Sequence, residues 1–269
     1  MAFQSNGPVM LALPPFRGFT RRIILIAGCW FLAAWVLGWV WPAGVMYAMD
    51  HVMLNPWSLA HGMVWELVTY PFVDIGLLSV LFALLTVWFF GAQLEDELGS
   101  RWLADYFFTI TLGGGLLATL LSFAIGHRVP GLETDIAYTA GMWPATLALL
   151  LAFAWFHAEE RIRFNFILLI KAKHLAMLYV GGYVVVGVLF AGYRFSALAA
   201  LMNALCGWMF LKWVPRRGLR YAASEKWFGM RNDFYRTKRR RAAKKFEVYM
   251  RKQGKDVRVD DPDDKKWMN

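Results

Sequence analysis

The residues of this chain that could perform chemistry are its hydroxyl, thiol and imidazole side chains. Nucleophilic catalysis needs a serine, threonine or cysteine within hydrogen-bond reach of a base such as histidine. Between Phe123 and Phe195 the sequence holds neither serine nor cysteine, and no histidine follows His174. No histidine pair or cysteine–histidine cluster has the spacing of metal ligands, and no glycine-rich phosphate-binding loop is present. We therefore expect no metal and no cofactor.

The composition indicates that a membrane must position these residues. Apolar residues make up 58% of the chain and the mean hydropathy is +0.40, whereas soluble domains are about 45–50% apolar. The whole formal net charge of +10 lies between Trp213 and the last residue, and the rest of the chain is balanced. We expect a cytoplasmic N-terminal segment at 1–21, a membrane domain at 22–214 and a basic cytoplasmic tail at 215–269.

Six apolar segments are long enough, or nearly so, to cross a bilayer as helices, which takes about 20 residues. Helices are expected because backbone polar groups in lipid must pair internally. The predicted fold class is all-α integral membrane, a bundle of six transmembrane helices. The predicted spans are Arg22–Trp41, Ile75–Gly91, Tyr106–Ile125, Gly141–Phe156, His174–Ala191 and Phe195–Val214.

The charges of the connections predict the orientation. With the N-terminus in the cytoplasm, nearly all Lys and Arg residues lie on the cytoplasmic side, as the positive-inside rule requires. Both termini are then cytoplasmic, and a bacterial inner membrane fits best. The first outer loop, residues 42–74, has no Lys or Arg but holds Trp57, Trp65, Tyr70 and Phe72. Because Trp and Tyr favour the membrane interface, we expect this loop to lie partly in the outer leaflet.

Several short motifs occur in a fixed order along the membrane domain. Trp65-Glu-Leu-Val-Thr-Tyr-Pro-Phe72 is followed by Val87-Trp-Phe-Phe-Gly91, and Leu94-Glu95 by Gly99-Ser-Arg101. Together they resemble the rhomboid family of intramembrane serine proteases from about Trp65 to Leu211. Two further stretches are similar to the family's entry to the fifth span and the end of its sixth-span glycine motif, Ile170-Lys-Ala-Lys-His-Leu175 and Gly207-Trp208.

The resemblance implies a Ser–His dyad with a His and an Asn as oxyanion donors, but this chain departs from that pattern. Trp143 stands at the serine position and Ala200 at the histidine position. Ser79 and Ala83 stand at the oxyanion donors, and Asp74 replaces the family's first histidine of the second span. Since no serine or cysteine lies between Phe123 and Phe195, and no histidine follows His174, no shift of register restores the dyad. We predict a catalytically inactive member, a rhomboid pseudoprotease.

Three tryptophans are candidates for binding a client or partner. Trp143 would fill the catalytic space with a side chain that can only donate, through one N–H; the alternative is ordinary helix packing. Trp57 and Trp65 lie in the aromatic outer loop.

Asn203 in the sixth span is a further candidate for client binding. The alternative is a hydrogen bond to a neighbouring helix, since polar residues at membrane depth tend to face the interior. In the same helix Ala200, Ala204 and Gly207 make a small-residue face, which we expect to pack closely against other helices.

The tail is a candidate for binding anionic lipid, because basic clusters near a last span attract anionic headgroups. Ribosomal RNA is an alternative polyanion, since the interleaved aromatic residues suit base stacking. The candidate residues are Arg236, Lys238, Arg239, Arg240, Arg241, Lys244 and Lys245.

Three functions are compatible with these patterns. The first is a non-proteolytic rhomboid-like protein that binds the transmembrane helices of clients or partners and affects their folding, assembly or turnover. The second is a structural subunit of a larger membrane complex. The third is an active intramembrane hydrolase with displaced residues, such as Ser79 with His51 or His61.

Overall fold

The computed structural model describes residues 14–74, 76–159, 161–164 and 168–214, and seven single residues of the tail. The chain divides into two compact units, Met1–Gly218 and Leu219–Asn269. In the second unit the described residues are 232, 235, 236, 238, 239, 249 and 252, all helical and exposed.

Each of the six predicted spans is a helix in the structure. Five helices are long and apolar enough to cross a membrane: α1 (Gly18–Val40), α5 (Leu77–Leu98), α6 (Ser100–Ile125), α8 (Ala172–Leu189) and α9 (Arg194–Trp213). The sixth helix, α7 (Trp143–Phe156), has 14 residues and is about 21 Å long at 1.5 Å per residue, less than the hydrocarbon thickness of about 30 Å.

Helix α7 lies at the centre of the bundle. Ten of its 14 residues are buried, and it contacts α5, α6, α8 and α9. Pro144 occupies its first turn, where the missing N–H costs no hydrogen bond. By contrast, α1 and α8 are largely exposed along their apolar lengths, as expected of helices at a lipid boundary.

The outer loop at 42–74 contains three short helices, α2 (Pro42–Asp50), α3 (Pro56–Ala60) and α4 (Glu66–Thr69), and the 3₁₀ turn Tyr70–Phe72. Asn55 caps α3, because its side-chain oxygen accepts hydrogen bonds from the N–H groups of Trp57 and Ser58. Leu54 pairs with Thr139 through two backbone hydrogen bonds. The outer loop is therefore attached to the connection between α6 and α7.

The all-α prediction omitted one element. An antiparallel hairpin joins α7 to α8 and consists of β1 (Arg161–Phe164) and β2 (Leu168–Lys171). The strict alternation of Arg161-Ile-Arg-Phe164 is the period-two pattern of a strand. The basic residues of this segment also suit a charged connection between spans, so the charge pattern alone does not indicate the hairpin.

The small-residue face of α9 packs as expected. Ala200 and Ala204 are buried beside Leu147 of α7. Gly207 lies against Tyr106 and Ala148, where an added Cβ would come 2.5 Å from the Tyr106 hydroxyl oxygen. These small side chains allow α9 to approach α6 and α7 closely.

Glu95, within one of the short motifs, caps the beginning of α1. Its carboxylate accepts hydrogen bonds from the backbone N–H groups of Phe19 (2.6 Å) and Thr20 (2.9 Å), and from the Ser100 hydroxyl. Gly18 has φ +63°, and a Cβ there would overlap the carboxylate. A carboxylate at a helix N-terminus accepts hydrogen bonds from backbone N–H groups that have no acceptor within the helix. Glu95 thereby joins α1 to the α5–α6 turn.

Replacing Glu95 should destabilise the membrane domain. Glu95→Ala leaves two backbone donors of α1 without an acceptor, which costs about 1–3 kcal/mol for a buried group. Glu95→Gln should cost less, because the amide oxygen can still accept one of the two bonds. The loss of stability of both variants can be measured as the fall in apparent melting temperature of the purified protein in detergent.

Asp96→Asn is the matched control for Glu95. Asp96 neighbours Glu95 and pairs with Arg17, but both side chains are exposed, and exposed ion pairs contribute little. Equal losses of melting temperature in Asp96→Asn and Glu95→Ala would contradict the capping role.

Candidate functional site

Three positions that differ from the protease pattern are joined by hydrogen bonds in the structure. The Trp143 indole Nε1–H donates to Ser79 Oγ at 2.8 Å. The Ser79 hydroxyl in turn donates to Asp74 Oδ2 at 2.6 Å. The Gly76 N–H donates to Asp74 Oδ1 at 3.1 Å. We call Asp74, Ser79 and Trp143 the polar chain.

Local backbone structure places the members of the polar chain. Gly76 is the N-cap of α5, so Ser79 lies in the first turn of that helix. Trp143 begins α7. Gly141 precedes it with φ +86°, and a Cβ at Gly141 would lie 2.8 Å from Asp74 Oδ2. Glycine is therefore needed both for the turn and for the close approach of Asp74.

Tyr183 of α8 completes the site, and sequence reasoning missed it. Its hydroxyl donates to the Trp143 carbonyl oxygen at 3.0 Å. Its side chain also packs against the cluster formed by Leu147, Ala200 and Ala204. Tyr183 therefore lies between the residues at the serine and histidine positions. The available signal was a tyrosine within an apolar span, where a hydroxyl needs a partner.

A small cavity adjoins the polar chain at Asp74. Its volume is about 10 Å³, which is room for about one water molecule. Asp74 and Ala83 line it, and Ala83 is 1% exposed and offers no donor. The remaining lining residues are Ala27, Pro71, Phe72, Val80, Leu84 and Met142. A peptide substrate does not fit in this volume.

The displaced dyad is not formed. The Ser79 hydroxyl is bonded within the polar chain. His51 Nδ1 lies 2.8 Å from the Tyr47 carbonyl oxygen, and His61 Nδ1 lies 2.8 Å from the Trp57 carbonyl oxygen. In this conformation each histidine ring bonds its own short helix of the outer loop rather than Ser79.

The surroundings of Asn203 argue against direct contact with a client. It is fully buried, and its Nδ2 donates to the Tyr70 hydroxyl at 3.3 Å, which donates to the Thr111 carbonyl oxygen at 3.2 Å. Gly114 of α6 lies so close that a Cβ there would come 2.0 Å from Asn203 Oδ1. Of the two alternatives for Asn203, the contacts favour bonding and packing between α9, α6 and the 3₁₀ turn that holds Tyr70 over client binding.

Trp57 and Trp65 lie on the outer loop and are not part of the polar chain. Their side chains are 53% and 49% exposed. The Trp65 indole N–H donates to the His51 carbonyl oxygen at 2.9 Å, and the Trp57 ring packs on His61 with ring centroids 4.3 Å apart. Both tryptophans therefore present partly exposed rings on a structured loop.

The tail candidates are only partly described. Arg236, Lys238 and Arg239 are helical and exposed. The other four candidates, Arg240, Arg241, Lys244 and Lys245, lie outside the described residues. Among the residues that the structure describes, no group of three or more His, Cys, Asp or Glu could hold a metal ion.

The DUF1751 family model, described as eukaryotic integral membrane proteins, matches residues 23–232. This match covers most of the chain, from within α1 to beyond the end of α9. The chain belongs to the DUF1751 family. A search of curated proteins finds no match.

Membership in DUF1751 confirms part of the sequence analysis and corrects another part. The family consists of rhomboid-like proteins, so the resemblance holds at the level of the family, while the loss of protease activity stays a prediction. The prediction of a bacterial inner membrane is wrong, because DUF1751 is a eukaryotic family. The charge pattern misled because the positive-inside rule applies to many membranes and does not identify one.

Glu66 is a buried acid in the outer loop of this DUF1751 member. It is 0% exposed, and its Oε2 accepts a hydrogen bond from the Asn55 N–H at 3.0 Å. Burial raises the pKa of Glu66 above its ordinary value, and the hydrogen bonds from Asn55 and Ser58 and the nearby His51 offset this only in part. The neutral form of Glu66 is therefore favoured by the folded loop.

We expect Glu66 to make stability depend on pH. Because its pKa is higher in the folded than in the unfolded chain, its contribution is fully present below the unfolded pKa of about 4.3. The contribution is lost as the pH rises through the folded value. Glu66→Gln should remove this dependence and raise the melting temperature at neutral pH relative to wild type. Melting temperatures measured from about pH 4 to pH 8 test this.

Asp135→Asn is the control, because Asp135 is an exposed carboxylate of the neighbouring connection. Its pH profile should match that of wild type. If the melting temperature of Glu66→Gln depended on pH as that of wild type does, Glu66 would not be the source of the pH dependence.

Proposed function

We propose that this protein is a non-proteolytic rhomboid-like factor with six membrane spans, which binds transmembrane helices of clients or partners. Binding would affect the folding, assembly or turnover of those proteins. The observation that carries the proposal is the hydrogen bond from the Trp143 indole to Ser79. It fills the region of the protease nucleophile with a side chain that binds but cannot attack a peptide bond.

The position of α7 supports six spans. A helix of 14 residues is too short to face lipid along a whole bilayer. Because ten of its residues are buried among other helices, protein rather than lipid surrounds it. A short central helix enclosed in this way satisfies its backbone internally and still connects the two sides of the membrane.

The face of α8 is the candidate surface for a client helix. Tyr183 of α8 bonds the first residue of α7, so α8 borders the polar chain. Val184, Val185 and Val188 beside Tyr183 are 46%, 53% and 65% exposed. In hydrocarbon, helices associate through close packing and a few polar contacts, and this surface offers an apolar face beside a tyrosine and an indole.

Site-specific photo-crosslinking tests the proposal in native membranes. A photoreactive residue at Val185 should crosslink to transmembrane segments of several other proteins. The matched control position is Val36 of α1, which is similarly apolar and 57% exposed but lies on a helix that does not bond Trp143. Val36 should give mainly lipid adducts. A varied set of proteins at Val185 supports client binding, whereas one stoichiometric partner supports the structural-subunit function instead.

The enzymatic alternative has its own test. Purified protein in liposomes should leave a labelled transmembrane substrate intact. Cleavage that is abolished by Ser79→Ala, together with labelling of Ser79 by a fluorophosphonate, would contradict the non-proteolytic proposal.

A further inference from the structure

Glu66 is a buried ionisable residue that the candidate client surface on α8 does not use. It begins α4 and is 0% exposed. Its Oε2 accepts the hydrogen bond from the Asn55 N–H, whereas its Oε1 is buried and has no hydrogen-bond partner within the part of the chain that the structure describes. An ionised carboxyl group can only accept hydrogen bonds, and it does so through both oxygens. The folded outer loop therefore provides a donor for one oxygen of Glu66 and leaves the other desolvated.

Asn55 joins Glu66 to α3 and to the connection between α6 and α7. The Asn55 Oδ1 accepts hydrogen bonds from the N–H groups of Trp57 and Ser58 at the beginning of α3. The Asn55 Nδ2 donates to the Ala137 carbonyl oxygen at 3.0 Å. A displacement of Asn55 from Glu66 therefore disturbs α3 and the connection at the same time.

Backbone hydrogen bonds reinforce the attachment of α3 to this connection. Leu54 and Thr139 exchange two of them, at 3.0 and 2.9 Å, and the Trp57 N–H donates to another carbonyl oxygen of the connection at 3.1 Å. Stretches that share hydrogen bonds in this way tend to open together. We call residues 54–60 together with residues 134–139 the paired segment.

The two tryptophans of the outer loop are positioned through the same contacts. Trp57 lies in α3, and Trp65 directly precedes Glu66. The Trp65 indole N–H donates to the His51 carbonyl oxygen at 2.9 Å. Because Glu66 connects α4 to α3 through Asn55, it also fixes the position of one partly exposed ring relative to the other.

The surroundings of Glu66 do little to stabilise a negative charge. His51 is the ionisable side chain that acts on Glu66 across space, and the Ser58 hydroxyl bonds the carboxyl group. Among the described residues, no ionisable group of α6 or of the connection acts on it, and Asp135 of the connection is exposed. Desolvation is the largest effect, so burial raises the pKa of Glu66 in spite of these contacts. The neutral acid is the form that suits the folded loop.

We propose that Glu66 is a proton-controlled latch of the outer loop, which holds the paired segment closed while neutral and releases it on ionisation. Ionisation places charge on a buried oxygen that has no donor, and such a group is costly until water reaches it. Water is admitted when the paired segment separates from Glu66, because that segment bonds the carboxyl group through Asn55. Opening moves Trp57 away from Trp65, so acidity controls the aromatic surface of the outer loop. The latch is independent of α8 and of client binding there.

The proton balance gives the direction of the pH dependence. Glu66 binds its proton more tightly in the closed loop than in the open loop, where its pKa is near the ordinary value of about 4.3. Between the open-loop and closed-loop values, opening releases one proton, so the equilibrium constant for opening rises about tenfold per pH unit. Outside this window the constant does not change. The loop is therefore closed in acid and opens more readily as the pH rises.

Hydrogen exchange of the full-length protein in detergent, from about pH 5 to pH 8, tests the latch. Protection factors, which are corrected for the intrinsic effect of pH on exchange, should fall with rising pH in peptides that cover the paired segment. Those of α9 should stay constant. In Glu66→Gln the paired segment should keep its low-pH protection at every pH, because the amide stays neutral and its oxygen can still accept from Asn55.

Two control variants and a second measurement separate Glu66 from other titrating groups. Asp135→Asn removes an exposed carboxylate of the paired segment, and His51→Gln removes the imidazole near Glu66. In both, protection of the paired segment should still fall as the pH rises. The infrared carbonyl band of a neutral carboxyl group should weaken in step with this fall and should be absent in Glu66→Gln.

Constant protection of the paired segment in wild type would overturn the proposal. A fall in Glu66→Gln equal to that of wild type would do the same, and loss of the fall in Asp135→Asn would assign the pH dependence to another carboxylate. If Glu66→Gln loses protection in α9 as well, its fold is disturbed and the wild type decides. An infrared band that does not weaken as the paired segment loses protection then contradicts the latch, and one that weakens in step supports it.

Discussion

Polar groups at membrane depth must find partners within the protein, because the hydrocarbon offers none. At the outer end of α7 the polar chain meets this requirement. The indole of Trp143, the hydroxyl of Ser79 and the carboxylate of Asp74 bond one another in sequence, and Tyr183 bonds the Trp143 backbone. One group of side chains thereby connects the outer loop, α5, α7 and α8. In the proposed correspondence with rhomboid proteases, the same bonds occupy the region of the nucleophile.

The rest of the bundle holds α7 in the position that these bonds need. Small residues on α9 let that helix approach α7 closely, and the contact of Gly114 with Asn203 fixes α9 against α6. At the other end of α5, Glu95 fixes the beginning of α1 to the α5–α6 turn. The scaffold is therefore maintained by close packing among α6, α7 and α9 and by the cap at the beginning of α1.

Much of the fold was predictable from the sequence, because apolar segments in a membrane have few alternatives to helices. The placement of Trp143 and Ser79 at positions of the protease site stays a prediction, and the hydrogen bond between them is consistent with it. The bond of Tyr183 to α7 was not predictable, because it depends on how α8 is rotated about its axis. The interior position of Asn203 was one of the two alternatives that the sequence left open. A sequence pattern gives the apolar length of a span but not the face that each polar residue occupies. The hairpin was missed because its strands are only four residues long.

The central claim is that the Trp143 indole is held by Ser79 at the former nucleophile position. Solid-state NMR of the protein in bilayers, with ¹⁵N-labelled tryptophan and Trp143→Phe to assign the signal, observes that indole N–H directly. The account predicts a hydrogen-bonded, slowly exchanging indole proton whose resonance shifts in Ser79→Ala and stays unchanged in Ser58→Ala. A Trp143 indole resonance that is insensitive to Ser79→Ala, or that exchanges as rapidly as an exposed indole, would contradict it.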